Sequence, residues 1–167
     1  MENGELLIGQ LFANDNGTVE LDNVSLNIGD IYANNGGTVD LDNVCLNVGT
    51  NYVIDNGTET WDNVCIEIGT AYGGSLQLNN GANVAMDASK IKIPSGSIWN
   101  TNNSELSGVI DAIYILNGNV ENFANWTATI SDYCVSGNVS VPSTYLPANQ
   151  NCNAMEDAFD DCNCLDD

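Results

Sequence analysis

Residues 17–29 read GTVELDNVSLNIG, residues 37–49 read GTVDLDNVCLNVG, and residues 57–69 read GTETWDNVCIEIG. The three segments superpose at a fixed step of 20 residues. Apolar and polar residues alternate within each. Val19 and Leu21 have Thr18 and Glu20 beside them, and Val24, Leu26 and Ile28 are separated by Ser25 and Asn27. Period two is the signature of a strand with one face buried. Asp-Asn, Gly and Asn-Gly corners separate the apolar runs, and these residues favour turns. A coil of about 20 residues with two or three short strands predicts a parallel β-solenoid, each coil stacked on the next. The competing architecture is an array of hairpins, but 20 residues are too few for a four-stranded propeller blade.

Working outward, residues 1–16 fit the same frame through Asn3, Leu6, Ile8, Gly9 and Phe12. Beyond residue 69 the repeat blurs. Its Gly–polar–apolar opening returns as Gly74-Ser75-Leu76, Gly96-Ser97-Ile98, Gly118-Asn119-Val120 and Gly137-Asn138-Val139. Counting by that opening gives an all-β chain: a parallel β-solenoid of about seven coils of ~20–22 residues over 1–142, then a short Cys-rich acidic tail over 143–167. At about 4.8 Å per rung the rod is about 34 Å long. Residues one step apart form columns. Leu21 and Leu41, Val24, Val44 and Val64, Leu26, Leu46 and Ile66, and Ile28, Val48 and Ile68 are the expected core. Phe12, Tyr32, Tyr52 and Tyr72 are an expected aromatic column. Asn23, Asn43 and Asn63 are an expected corner ladder of amides bonded from rung to rung.

Composition then removes function classes. The 167 residues carry a formal charge of −21, with Lys90 and Lys92 as the only cations and no arginine or histidine. Such a chain cannot neutralise nucleic-acid phosphates, and anionic membrane surfaces repel it. Chemistry that needs a His base, a His ligand or an Arg clamp is excluded. A pair of carboxylates alone can hydrolyse a glycoside, but no pair is singled out, so no enzyme is expected. No apolar run approaches the length of a membrane-spanning helix. Met1–Gln10 has no basic region followed by an apolar stretch, so the chain is expected either to be cytosolic or to have lost a leader. A hydrophobic content of 43% argues against disorder.

The repeat resembles secreted right-handed parallel β-helix proteins, especially the repetitive modules of bacterial cell-surface and extracellular proteins. The resemblance covers about residues 1–142 and rests on the coil length and the degenerate Gly-x-apolar corner. It implies the fold and an extracellular or cell-surface location. A 20-residue coil is also similar to pentapeptide-repeat proteins, some of them acidic mimics of DNA. Leu21, Leu26 and Ile31 keep the five-residue step, but later steps fall on Gly36, Asn51 and Asn56 and break it.

Six cysteines, at 45, 65, 134, 152, 162 and 164, favour an oxidising compartment. Cys45 and Cys65 share a column, where stacked Cα atoms lie within disulfide reach, although two free thiols remain open. Cys134, Cys152, Cys162 and Cys164 allow three pairings. Zinc is the competing reading for Cys162 and Cys164, but Cys-Asn-Cys is not a zinc knuckle. Pro142 and Pro147 break the strand pattern, Asn153 is placed to cap a short helix through Phe159, and six of the last twelve residues are acidic. That tail is expected to dock as a cap or a partner contact.

The remaining candidates lie on the outward face. Asp22, Asp42 and Asp62, with Glu2 in the same column and Glu20 and Asp40 beside it, bring like charges about 5 Å apart, worth about 0.8 kcal/mol of repulsion per pair in water. Calcium would relieve it, and is the one cofactor that the sequence suggests. The alternative is that Asp-Asn is a favoured corner whose acids face solvent. Thr18, Thr38 and Thr58 form a column like those of ice-binding solenoids, and Tyr72, Trp99, Tyr114 and Trp126 are aromatic candidates for stacking on glycans. Glycosylation sequons occur at Asn16, Asn23, Asn56, Asn102, Asn125 and Asn138.

Together these features point to an extracellular structural protein, a β-solenoid subunit that self-assembles head-to-tail into a filament or surface layer. Met1, Asn3, Leu6 and Ile8 would form the socket, and the C-terminal region the opposite contact. The alternative is a monomeric adhesive or carbohydrate-binding module of a larger surface protein.

Overall fold

The structure is a computed structural model that describes residues 4–14, 16–69, 73–101, 103–122, 125–155 and 159. Its first coil runs from β1 (Gly4–Ile8) to β2 (Leu11–Asn14). The second holds β3 (Thr18–Ile28) and β4 (Tyr32–Asn35), and the third β5 (Thr38–Val48) and β6 (Tyr52–Asp55). The fourth holds β7 (Thr58–Asp62), β8 (Cys65–Ile68) and β9 (Leu76–Asn79). The fifth has β10 (Asn83–Ile93) and β11 (Ile98–Asn100), and the sixth β12 (Glu105–Ile115) and β13 (Val120–Asn122). Then β14 (Asn125–Trp126) and β15 (Thr129–Val135) add a rung to the longer sheet, and Val139 bridges to Val120 in the shorter one. All the pairings are parallel. The chain is an all-β parallel β-solenoid of about six complete coils, one fewer than the Gly–polar–apolar count predicts.

The Asp-Asn corners explain how an 11-residue strand serves two faces. Asn23, Asn43 and Asn63 have φ of 52°, 54° and 51°, a left-handed conformation that asparagine tolerates better than most residues. The inward set therefore steps from Leu21 to Val24, three residues rather than two, and the strand turns without rotating its apolar side outward. The amide ladder is present: Asn43 donates to Asn23, and Asn63 Nδ2 donates to Asn43 Oδ1 at 2.9 Å. A second ladder joins Asn47 to Asn27 at 3.0 Å.

The core columns are as expected. Leu26, Leu46 and Ile66 are register partners, as are Ile28, Val48 and Ile68, and all six are buried. Each such side chain contributes about 1.5–3 kcal/mol by leaving water.

Two expected alignments shift. Tyr32 pairs with Leu11, not Phe12, because the corner Gly9-Gln10 is one residue shorter than Gly29-Asp30-Ile31. Phe12 therefore points outward. Tyr52 pairs onward with Leu76, because the corner after Ile68 is lengthened, while Tyr72 lies outside the described residues.

The Gly–polar–apolar opening turns out to mark two different corners. At Gly17, Gly37 and Gly57 it precedes the long strands, whereas at Gly74, Gly96, Gly118 and Gly137 it precedes the short sheet. Both corners exclude a side chain. A Cβ on Gly57 would sit 2.6 Å from the Asn34 amide, and one on Gly96 or Gly118 would sit 1.5 Å from the carbonyl oxygen of Gly74 or Gly96 in the preceding rung.

Beyond β15 the chain closes the last rung and then turns back along the rod. Val141 is buried in the main core, and Tyr145 and Leu146 pack against it. The Asn149 side chain bonds both N and O of Val135 at 3.1 Å, and Gln150 N bonds Tyr133 O at 2.9 Å. A disulfide joins Cys134 to Cys152, whose Cα atoms are 5.1 Å apart. The helix α1 (Cys152–Met155) starts one residue before the Asn153 expected to cap it. Met155 and Phe159 then bury Ala112, Tyr114 and Cys134 in a second, lateral core on the outward face of the long sheet.

Candidate functional site

The most unusual chemistry lies in the interior, at a residue that the sequence reading did not single out. Inward positions of the first long face run Val19, Val39, Glu59, Val84, Leu106, Trp126. Glu59 is 1% exposed. Four neutral donors hold it: Tyr32 OH at 3.0 Å and Asn34 Nδ2 at 3.0 Å on Oε1, and Tyr52 OH at 2.6 Å and Trp61 Nε1 at 2.8 Å on Oε2. The Tyr32 and Tyr52 rings stack with centroids 4.0 Å apart, and Trp61 meets Tyr52 edge-on at 5.4 Å. Burial pushes the Glu59 carboxyl above its ordinary range and outweighs the four hydrogen bonds, which act the other way. Burial, and then the Glu59 charge, push both tyrosines well up. The signal that marks Glu59 in the sequence is one glutamate in a column of valines.

The solenoid's two ends differ. Ile8 O accepts from Gly29 N at 2.9 Å, so the Ile8 peptide groups face β3. Successive residues of a strand face opposite sides, so the Leu7 N–H and C=O point away from β3, along the first rung's far edge. Among the described strands, β1 pairs with β3 alone. Leu7 is 77% exposed and Phe12 47%, so two large apolar side chains face outward on this first coil. Leu6 lies in β1 opposite Leu26, while Met1 and Asn3 lie outside the described residues. The opposite end carries the closing segment Val141–Gln150.

The expected outward columns are present. Asp22, Asp42, Asp62 and Asp87 are successive register partners, all exposed, as are Thr18, Thr38 and Thr58. Glu2 lies outside the described residues. The column is single-file. Among the described residues, no three Asp, Glu, Cys or His side chains converge closely enough to hold an ion. Of the sequons, Asn16, Asn56, Asn125 and Asn138 are exposed, Asn23 accepts in the ladder through Oδ1 and donates to Asp22 through Nδ2, and Asn102 lies outside the described residues. Trp99 is 44% exposed, Trp126 is in the core, Tyr114 is under the tail, and Tyr72 is not described.

Cys45 and Cys65 are register partners in adjacent rungs, and each is disulfide-bonded. Cys134 and Cys152 form the tail bridge, while Cys162 and Cys164 lie outside the described residues. Disulfides suggest a non-reducing environment. No helix among the described residues is long and apolar enough to cross a membrane. Where the tail meets the rod, Lys90, Asp111, Ala112, Ser131, Asp132, Gln150 and Met155 line an open cleft of about 350 Å³, across which Gln150 bonds Asp132. No family model, curated protein or solved structure matches this chain.

Proposed function

We propose that this chain is an extracellular or cell-surface structural protein, related in role to the secreted bacterial β-helix modules that its repeat resembles, and that it assembles end-on with further copies of itself. The observation that carries this reading is the first rung, which pairs with β3 on one side and directs Leu7 backbone groups away on the other. Among the described strands none pairs with that far side, and such a sheet edge is a template for another strand. Because the ends differ, the contact is heterologous and generates an open filament rather than a closed dimer. The role is one of scaffold rather than catalyst. Calcium would gather diffusely along Asp22, Asp42 and Asp62, lowering the repulsion between highly acidic rods.

The test compares wild type with Leu7→Pro by light scattering and negative-stain electron microscopy, with and without calcium and reductant. Proline deletes an N–H that faces away from β3 and so leaves the β1–β3 ladder intact. Wild-type fibres that Leu7→Pro converts to monomers of unchanged circular dichroism would support the reading. Uniform short wild-type particles under every condition would reject it and favour the glycan-binding module, with exposed Trp99 as its handle.

A further inference from the structure

We propose that Glu59 and its four donors form a proton-responsive lock across the second to fourth coils, closed tightest when the carboxyl carries its proton. The groups that face Glu59 are Tyr32 and Asn34 from β4, Tyr52 from β6 and Trp61 from its own strand. The two phenols are the titratable groups among them, and among the described residues no cation faces the carboxyl. Lys92 pairs with Glu67 at 3.5 Å, and Lys90 lines the outward cleft. The ionised carboxylate is thus held by neutral dipoles alone, in a core that otherwise consists of apolar side chains at this level.

The protonated form has a place for its hydrogen. Asn34 Nδ2 and Trp61 Nε1 can only donate, but a tyrosine hydroxyl can turn and accept. Both hydroxyls reach the carboxyl, Tyr32 on Oε1 and Tyr52 on Oε2, so either oxygen can pass its proton to a tyrosine acceptor. Glu59 and Trp61 sit in a coil whose regularity is broken twice. Here the long strand is interrupted between Asp62 and Cys65, and the buried Ser89 hydroxyl fills the gap, accepting from Val64 N at 3.2 Å with Asp87 O at 2.9 Å and Trp61 O at 3.3 Å as acceptors for its one hydrogen. The corner that follows Ile68 is the lengthened one.

The direction of the pH effect follows. Burial raises the folded carboxyl above its unfolded value. Below the unfolded value both states hold the proton, and the contribution to stability is complete. As pH rises from there through the folded value the unfolded chain releases its proton first, and the contribution is lost, by up to about tenfold in the folding equilibrium per pH unit.

The test follows urea unfolding and amide exchange between about pH 4 and about pH 8 in wild type and Glu59→Gln, with the Glu59 carboxyl carbon titrated by NMR in wild type. Wild type should lose stability relative to Glu59→Gln as pH rises. The amides of Glu59 and Trp61 should open faster than intrinsic exchange explains, and Glu59 should titrate above the surface carboxylates. The NMR titration needs no variant, so it stands if Glu59→Gln does not fold. Glu59 titrating with or below the surface carboxylates, or parallel pH profiles for the two proteins, would overturn the proposal.

Discussion

Gly96→Ala and Gly9→Ala are the same substitution at equivalent-looking turn glycines, and they should move stability in opposite directions. A Cβ on Gly96 would lie 1.5 Å from Gly74 O and 2.6 Å from Gly74 C, both backbone atoms of the preceding rung. Relieving that overlap needs a separation of roughly 2 Å between rungs that stand about 4.8 Å apart. The hydrogen bonds that tie these two rungs together, Gly74 N to Ser95 O at 2.8 Å and Leu76 N to Ser97 O at 3.1 Å, would break. Each costs about 1 kcal/mol or more when its groups stay buried. Gly96 also has φ +146°, strained for alanine by about 1–3 kcal/mol. The expected loss is roughly 4 kcal/mol, a large share of a domain stability of about 5–15 kcal/mol. Gly9 has nothing within 4 Å of its Cβ position and no positive φ, so alanine there should gain about 0.4–1 kcal/mol from the unfolded state. Urea denaturation of the three proteins measures both values. Variants that agree within about 1 kcal/mol would refute the stacked-glycine corner.

Asn43→Ala should lose roughly 2 kcal/mol by forcing alanine into the left-handed corner and cutting the amide ladder, and Asn43→Gly should recover the conformational part, as read by thermal unfolding. Cys152→Ser should cost about 3 kcal/mol by opening a closed loop, and should uncover Tyr114 and Ala112, seen as dye binding and faster proteolysis of the tail. Trp61→Phe removes one donor from Glu59 Oε2, which should lower stability by about 1–3 kcal/mol and raise the Glu59 pKa further, so that the pH-dependent loss still begins at the unfolded value but continues to higher pH and is larger.

Elements set by local repetition were legible from residues alone. The 20-residue step placed Val24, Leu26 and Ile28 inward, stacked Asn23, Asn43 and Asn63, and put Cys45 opposite Cys65. Legibility failed where corner length changed. One residue fewer at Gly9-Gln10 moved Phe12 out of the Tyr32 column, and the longer corner after Ile68 moved the glycine opening from one corner to another. The same residue pattern arises at both because each forbids a Cβ, so the pattern reports crowding rather than position. Glu59 was visible as an anomaly among valines, but its partners Tyr32, Asn34 and Tyr52 lie in earlier coils on another sheet and become neighbours only when the columns are built. Tail docking depends on Met155 and Phe159 meeting the outward Tyr114, a contact that no periodicity encodes.

The most direct measurement is disulfide mapping of the native, non-reduced protein by mass spectrometry. Cys45 linked to Cys65, and Cys134 to Cys152, is the predicted result, because a bridge between residues 20 apart requires those two rungs to stack in this register. Cys45 or Cys65 linked to a tail cysteine would contradict the stacking from which the core, the ladder and the Glu59 lock are all built.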